Sequence, residues 1–384
     1  MAVEFTPSPS RSLGVEVELG IVDRVTGALV PASDEIIGAL MEHHPGADEH
    51  PKAKHELFLS TIEIITGVCA TPAEAYEDLS ATVREVDAVL QPRGLALLGG
   101  GVHPFADPKT LQRSPSERYD ALVERIQWPA RRLQIHGVHF HVGVGGKERA
   151  IQIMNSLLDY LPHFVALSAA SPFWEGEDTG LASVRTKIFE AMPTAGLPSH
   201  FADWAAFEQF IESMIATNSI GSIREIWWDI RPHVMYGTLE FRMCDGMATL
   251  REVIALSALA QCLVEYLDAA YEAGREPPQP VGWVVRENKW RAARFGLDAA
   301  LVRTDGSTSP IRGDIERLVT DLEATAGSLG CTTQLGWVRE ILDEGASYQR
   351  QRAVIDTGGS LKDVVDLLVT EFSRDSFAQD SPAR

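Results

Sequence analysis

The sequence contains few cysteines, and none lies at a spacing that binds metal. Cys69, Cys244, Cys262 and Cys331 are scattered over 384 residues without a Cys-x-x-Cys motif. This usage is typical of reduced, mostly buried thiols in a cytoplasmic protein. We therefore expect a cytoplasmic chain with neither a disulfide framework nor a thiolate metal site.

Basic residues are also scarce relative to acidic ones. The chain has 34 Lys and Arg against 54 Asp and Glu, which gives a formal net charge of −20. A surface this acidic repels a phosphate backbone, so we expect no nucleic-acid partner. ATP is not excluded by this argument, because it arrives with Mg²⁺ and needs only a local site.

The sequence lacks both a signal peptide and a long hydrophobic run. Its first twelve residues carry no basic segment followed by an apolar one. The longest apolar stretch, 253–267, contains Gln261 and Glu265 and is too short to span a bilayer. We expect a soluble protein without a membrane partner.

Strand and helix patterns alternate irregularly before residue 250, whereas only helices are legible after it. The residue patterns predict strands at 13–22, within 55–66, and at 94–101, 137–143, 220–229 and 237–243. They predict helices at 34–41, 71–90, 116–125, 151–170 (with a kink at Pro162) and 249–273, and then at 286–295, 310–328, 334–344 and 360–373. Thr71 and Thr249 each precede a Glu by three residues, which is the capping-box pattern of a helix start.

This order favours a mainly antiparallel sheet in an α+β fold over a doubly wound parallel sheet. We divide the chain into a catalytic α+β core at 1–275, a helical part packed on it at 276–375, and a polar tail at 376–384.

Pairs of polar side chains recur on the predicted strands. Three pairs are two residues apart and therefore point to the same face of a sheet: Glu16/Glu18, His139/His141 and Glu240/Arg242. A single pair of this kind usually marks the solvated face of a strand. Several in one chain, including a His-x-His, favour a shared site.

A fourth pair, Glu56 and Glu63, is less regular. The odd spacing of seven places the two carboxylates on opposite faces of one straight strand. They share a site only if the chain bulges or turns between them, for example at Ser60-Thr61.

A converging set of glutamates requires cations. Two carboxylates about 6.5 Å apart repel by roughly 2.5 kcal/mol at an effective dielectric near 20. They would protonate or move apart unless a cation lay between them. Carboxylate oxygens with an occasional imidazole suit Mg²⁺ or Mn²⁺, with Zn²⁺ the weaker alternative.

Together these segments resemble a known family. The segments are GVEVELG, HELF…IEIITG, GVHFHVGV and WWDIRPH…TLEFRMCD, within residues 10–270. They resemble the carboxylate–amine ligases, also called glutamate–cysteine ligase type 2, of the glutamine-synthetase-like superfamily. The resemblance implies a large, mainly antiparallel sheet that curves around the active site, with helices on its outer face. It also implies ATP, Mg²⁺ or Mn²⁺, small amino-acid or amine substrates, and a homo-oligomer of two or more subunits.

The resemblance also assigns roles to residues. It implies a metal site formed by Glu16, Glu18, Glu56, Glu63, His139 and Glu240. His141 resembles the residue that faces the ATP phosphates, Arg242 resembles an Arg near the transferred phosphoryl group, and Arg231 resembles one that neutralises phosphate or a substrate carboxylate. Ser183 and Arg185 lie in a segment that lines the acceptor pocket in relatives.

The reaction implied is the ATP-dependent formation of an amide or γ-glutamyl bond through an acyl phosphate, with release of ADP and phosphate. Glutamate and cysteine are the default substrates, and another amino-acid or amine pair is an alternative. A non-catalytic nucleotide- and metal-binding protein and a phosphagen-type kinase also share this broad fold. Outside the resemblance, His103 after three glycines either approaches a ligand or caps its own turn.

Overall fold

The computed structural model describes residues 4–8, 11–275, 277 and 279–376. The proposed polar tail therefore lies, apart from residue 376, outside the described residues, as does residue 276 at the proposed domain boundary.

A seven-stranded antiparallel sheet forms the centre of the described chain. Its strand order is β2-β3-β1-β5-β9-β8, and β4 also pairs with β1. The strands of the described chain, including two short hairpins, are β1 (Leu13–Asp23), β2 (Ala53–His55), β3 (Thr61–Ile65), β4 (Leu95–Leu98), β5 (Gly137–Gly143), β6 (Phe173–Trp174), β7 (Glu177–Asp178), β8 (Ile230–His233), β9 (Thr238–Asp245), β10 (Ala300–Val302) and β11 (Thr308–Pro310).

Helices cover one face of this sheet and continue into the C-terminal part. They are α1 (Ser33–Met41), α2 (Pro72–Leu90), α3 (Glu117–Ile126), α4 (Lys147–Leu157), α5 (Leu161–Ser168), α6 (Val184–Phe189), α7 (Trp204–Ala216), α8 (Leu250–Glu272), α9 (Gly282–Phe295), α10 (Ile311–Leu329), α11 (Thr332–Glu344), α12 (Ser347–Asp356) and α13 (Leu361–Ser376). Helices α2, α4, α5 and α8 contact the sheet.

The alternation of β1 explains how the sheet acquires two different faces. Leu13, Val15 and Val17 are almost fully buried and belong to the main hydrophobic core, whereas Glu16 between them is only partly buried. Since successive side chains of a strand point to opposite faces, the apolar set packs under the helices and the polar set faces the other side. The sequence prediction of this strand is confirmed.

Both predicted capping residues cap their helices. At α8, Thr249 accepts the N–H of Glu252, and Glu252 accepts the N–H of Thr249 in return. At α2, Thr71 accepts the N–H of Glu74, but the carboxylate of Glu74 accepts the N–H of Ala70 instead. This second arrangement is therefore only half of a capping box.

Two predictions of secondary structure before residue 250 are wrong. The helix expected at 151–170 is two helices, α4 and α5, and Pro162 lies in the first turn of the second, where proline is tolerated. The strand expected at 220–229 is a loop with a 3-10 turn at Ile223–Glu225, since the N–H of Gly221 bonds to the carboxylate of Glu225. The strand that pairs with β9 is β8, which begins at Ile230, directly after the predicted segment.

The C-terminal part is not purely helical, and three helices of the described chain escaped the sequence prediction. The hairpin β10–β11 joins α9 to α10, and α6, α7 and α12 were not predicted. Asp203 accepts the N–H of Ala206 at the start of α7, so this cap was the missed signal.

Helix α8 lies at the centre of the molecule. It contacts α2, α10, α11 and the sheet, and one continuous hydrophobic core includes residues on both sides of position 275. By length and composition α8 could cross a membrane, but 78% of its most apolar window is buried inside the protein. The division of the chain at residue 275 stays a prediction. All four cysteines are buried and none forms a disulfide, as expected.

Candidate active site

The strand register aligns the predicted polar residues across one face of the sheet. Glu18 of β1 is paired with Glu63 of β3, and Glu16 is paired with His139 of β5. Further along, Glu240 of β9 lies between His141 and Arg231 of its two neighbouring strands. Paired residues of an antiparallel ladder have their side chains on the same face. Five strands therefore contribute to one polar surface.

Glu56 joins this surface because the chain turns between β2 and β3. Strand β2 ends at His55 and β3 begins at Thr61, so Glu56 lies in the connecting loop. Each of Glu18, Glu56 and Glu63 has a carboxylate oxygen within 4.8 Å of the other two. The turn thus brings together two residues that a straight strand would have separated.

Glu16 lies between the two imidazoles of the His-x-His pair. Nδ1 of His139 donates to one carboxylate oxygen at 2.9 Å, and Nε2 of His141 lies 3.2 Å from the other. Burial alone would raise the pKa of Glu16, but its contacts with His139 and His141 outweigh burial and lower the pKa. Glu16 is therefore a carboxylate that stays ionised.

The two histidines differ in their pKa values. Burial and the nearby charge of Arg242 lower the pKa of His139. Burial also acts to lower the pKa of His141, but the carboxylates of Glu16 and Glu240 raise it overall. Nδ1 of His141 lies 3.0 Å from the hydroxyl of Thr238, which fixes the orientation of the ring.

Glu56 and Glu63 have pKa values above the ordinary range of a carboxyl group. Burial and the charge of Glu18 raise the pKa of Glu56 to about 8. Burial and the charges of Glu16 and Glu56 raise the pKa of Glu63 well above its ordinary value. Both carboxylates thus favour the protonated form until a cation compensates them.

The donor set fits hard divalent cations. Three overlapping groups place potential ligand atoms within 4.8 Å of one another: Glu16/His141/Glu240, Glu16/Glu63/His139 and Glu18/Glu56/Glu63. Carboxylate oxygens dominate each group, as Mg²⁺ and Mn²⁺ prefer. The His donors lie beside Glu16, which belongs to two of the groups.

Two arginines surround Glu240. The guanidinium of Arg231 binds both its carboxylate oxygens, at 2.7 and 3.2 Å, and Arg242 forms a second ion pair with the same carboxylate. Burial acts to raise the pKa of Glu240, but the charges of Arg242 and Arg231 lower it well below its ordinary value. Nη1 of Arg231 also donates to the carbonyls of Arg224 and Ile226, so its position is fixed.

These residues line one cavity of about 1350 Å³. Glu16, Glu18, Glu56, Glu63, His139, His141, Arg185, Arg231, Glu240 and Arg242 all belong to its walls. Ser183 does not belong to the described lining. Its hydroxyl is fully buried and donates to Asp245 at 2.7 Å, and it caps α6. The expectation that Ser183 faces substrate is therefore corrected, because the helix start uses the hydroxyl.

Arg185 enters the cavity wall from α6. Nη2 donates to the carbonyl of Arg242 at 3.4 Å, and a Cβ at Gly137 would collide with this guanidinium. Its Nε is buried with no hydrogen-bond partner among the described residues. The guanidinium lies 5.5 Å from the Phe189 ring centroid. Arg185 thus offers a buried donor to an anion.

The sequence did not predict a stacked pair of rings beside His141, formed by His233 and Tyr236 and called the shelf below. His233 and Tyr236 stack with ring centroids 4.2 Å apart, and both line the cavity. Tyr236 is 59% exposed, so one face of the pair is accessible to a planar ligand. Arg231 and His233 are themselves two residues apart on β8, which is the signal that could have revealed this shelf.

His103 does not belong to this site. Its Nδ1 accepts the N–H of Ala106 at 3.0 Å, and its Nε2 donates to the carbonyl of Gly27 at 2.7 Å. It caps its own turn, which was one of the two roles expected.

Comparison with known proteins places the chain among the ligases. The model of "Glutamate-cysteine ligase family 2 (GCS2)" matches residues 12–366. A candidate glutamate–cysteine ligase 2 of Thermobifida fusca is 49% identical over 97% of this chain and 93% of its own length. One from Frankia alni is 48% identical over 97% of this chain and 98% of its own.

Solved structures share the fold at low identity. Glutamate–cysteine ligase of Francisella tularensis, crystallised with AMP, has a TM-score of 0.70 at 12% identity and covers 99% of this chain and 91% of its own. The bifunctional glutathione synthetase of Pasteurella multocida has a TM-score of 0.69 at 15% identity, over 95% of this chain and 52% of that one. The glutamine-synthetase-like α+β fold expected from the sequence is confirmed. The chain belongs to glutamate–cysteine ligase family 2, and it is an ATP-dependent carbon–nitrogen ligase.

Proposed function

We propose that this ligase activates a substrate carboxylate with ATP and joins it to an amine, releasing ADP and phosphate. The family default is the γ-carboxylate of glutamate and the amine of cysteine. The observation that carries the proposal is the row of side chains across β3, β1, β5, β9 and β8, because it combines cation ligands with arginines on one wall of one cavity.

The cation ligands of this proposal are the six residues named from the sequence. They are Glu16, Glu18, Glu56, Glu63, His139 and Glu240. One of the three-residue groups described above also contains His141 as a potential ligand. When bound, Mg²⁺ or Mn²⁺ supplies charge neutralisation for the phosphate oxygens. The six ligand residues would hold the cation and fix its position beside the phosphates. Glu240 is shared with two arginines, so it positions them as well.

Arg242 and Arg231 are the proposed catalytic residues. The phosphoryl group moves from ATP to a carboxylate oxygen of the substrate, which breaks the bond to ADP and forms an acyl phosphate. Phosphoryl transfer depends mainly on positioning and charge neutralisation, and a planar guanidinium can contact two phosphate oxygens at once. The amine then attacks the acyl carbon, loses a proton, and phosphate leaves.

The cavity offers separate ends for nucleotide and amino acid. His141 faces the phosphates, and the neighbouring His233–Tyr236 shelf takes the planar base by stacking. Arg185, with its unpartnered Nε, binds a carboxylate of the amino-acid substrate. Ser183 supports the Arg185 helix through its cap and does not contact the substrate.

ADP release in a matrix of amino-acid donors and amine acceptors tests this function. The wild type should release ADP only when a productive pair is present, and Glu16→Gln should lose that activity. Glu177→Gln changes an exposed glutamate of β7 and should match the wild type. Tight Mg-ATP binding without turnover for any pair would favour the non-catalytic binding protein. ADP release with a single substrate, and a stable phosphorylated product, would favour the kinase.

Assembly and location also stay predictions. We propose a homo-oligomer of two or more subunits in the cytoplasm, and light scattering after size exclusion measures the subunit number. A monomeric mass over a range of concentrations would contradict the oligomer.

A further inference from the structure

Helix α9, from the C-terminal part of the chain, holds the helix that carries Arg185 at both ends. The carbonyl of Ala293 accepts the N–H groups of Ala182 and Ser183, at 2.9 and 3.0 Å, just before α6. Nζ of Lys289 lies 2.5 Å from the carboxylate of Glu190, the residue that follows α6. The position of α6 in the cavity wall therefore depends on α9.

The same lysine reaches the wall that carries the catalytic arginines. Nζ of Lys289 donates to Oδ2 of Asp229 at 2.6 Å. The carbonyl of Asp229 accepts the N–H of Arg242 at 2.7 Å, and Asp229 immediately precedes β8 with Arg231. One ammonium group thus connects the two sides of the cavity that hold the proposed anion-binding residues.

Lys289 lies too deep to contact a substrate. It is 2% exposed and does not belong to the described lining of the cavity. A buried ammonium is stable only when carboxylates compensate it, and here two carboxylates from different elements do so. Glu190 has a further partner in Lys187, at 2.6 Å, whereas Asp229 is almost fully buried and depends on Lys289.

We propose that Lys289 is a positioning residue that sets the separation between Arg185 on α6 and the Arg231/Arg242 strands. The proposal rests on the proposed function, because it concerns the same cavity and the same carboxylate substrate. Without Lys289, the two walls would relax apart, because the carboxylates of Asp229 and Glu190 would lose the cation between them. The shelf at His233 and Tyr236 lies beside His141, whereas Arg185 lies beside Gly137 at the other end of β5, so we expect the smallest displacement at the shelf.

Steady-state kinetics of Lys289→Met test this role. Met has a similar length and removes only the ammonium group. We expect the Michaelis constant of the carboxylate substrate to rise about tenfold or more, while the dissociation constant of Mg-ATP stays within twofold. Lys289→Arg keeps a cation that can bridge two carboxylates and should recover most of the loss. Arg291→Met is the matched control, since Arg291 lies on the same helix and, in the part of the chain that the structure describes, pairs with half-buried Glu287 and with the carbonyl of Ala300.

Hydrogen exchange gives a second measurement that does not require turnover. Lys289→Met should speed exchange in 183–190 and at the N–H of Arg242, which bonds to the carbonyl of Asp229, while leaving α10 and the shelf residues 233–236 unchanged. Unaltered exchange at both places, or a uniform increase over the whole chain, would overturn the positioning role, as would a wild-type Michaelis constant in a folded variant. Should the wild type lack turnover with every pair, the proposed function fails, and the exchange data still decide whether Lys289 couples the two walls.

Discussion

Glu16 and His139 face each other across the β1–β5 pairing, with a carboxylate oxygen 2.9 Å from Nδ1 of the imidazole. Because Nδ1 donates to the carboxylate, Nε2 of the neutral ring keeps its lone pair and can bind a cation. Glu16 also belongs to two of the three overlapping groups in this cavity that could hold a cation. This pair is therefore central to the candidate metal site.

Divalent metal with nucleotide should stabilise the protein. The cluster of Glu16, Glu18, Glu56 and Glu63 is self-repelling when empty, so ligands that bind only the folded state raise the melting temperature by mass action. A concentration 100-fold above the dissociation constant adds about 2.7 kcal/mol. Thermal melts with Mg²⁺ or Mn²⁺ and ATP measure the shift, and EDTA should reverse it. Identical melting curves at millimolar metal and nucleotide would count against the site.

Glu240→Gln should abolish ADP formation and amide formation together and should also destabilise the fold. The substitution removes a negative charge from the cation cluster and leaves Arg231 and Arg242 with less compensation. Removing one partner of a buried ion pair usually costs about 3–5 kcal/mol. Product assays and urea titrations measure the two effects separately. A stable, fully active variant would exclude Glu240 from both roles.

Arg242→Lys should lower turnover by about 10²-fold while leaving ATP affinity nearly intact. Lysine keeps the charge but loses the planar fork that contacts two oxygens at once, and the loss is largest in the transition state. Turnover and nucleotide affinity are measured separately. Arg251→Lys is a surface control, since Arg251 pairs with exposed Glu340. A wild-type rate for Arg242→Lys would remove it from phosphoryl transfer.

Arg185 and Ser183 should give different phenotypes although they lie two residues apart. Arg185→Lys should raise the Michaelis constant of one substrate and spare nucleotide binding, because its guanidinium lines the cavity. Ser183→Ala should lower stability by about 1 kcal/mol through the lost helix cap, with little change in kinetics. Kinetics and chemical denaturation on both variants test this separation. A raised Michaelis constant in Ser183→Ala with unchanged stability would show that Ser183 contacts the substrate.

His103 should contribute to loss of stability in acid. Burial lowers its pKa to about 4. Its Nδ1 accepts two backbone N–H groups, and protonation of Nδ1 would break both hydrogen bonds. The unfolded chain takes up a proton near pH 6.5, so this contribution is complete above that pH and declines as the pH falls towards 4. The loss is about 2 kcal/mol by pH 5. Urea midpoints at pH 7 and pH 5 should differ less in His103→Asn, which can still cap the turn. If the two midpoints differ by the same amount in the wild type and in His103→Asn, groups other than His103 cause the acid sensitivity.

The sequence alone determined which polar residues lie on strands and which of them share a face of their own strand. Alternation on β1, β5 and β9 placed Glu16, His139 and Glu240 on sheet faces, because the two-residue period of a strand is a local property of the backbone. The same reasoning recognised the starts of α2 and α8 from Thr71 and Thr249, since a cap involves only neighbouring residues.

Only the tertiary structure decided how the chain turns between these elements and what the side chains contact. The hydroxyl of Ser114 donates to the carbonyl of Glu56 at the turn. In the loop before β8, the N–H groups of Trp227 and Asp229 donate to the carbonyls of Thr194 and Gly196. Ser183 faces Asp245, Arg185 faces the cavity, and Lys289 connects Asp229 with Glu190, over separations of tens of residues. Local patterns carry no information on such pairings, because their free energy comes from burial and charge compensation that exist only once the core has formed.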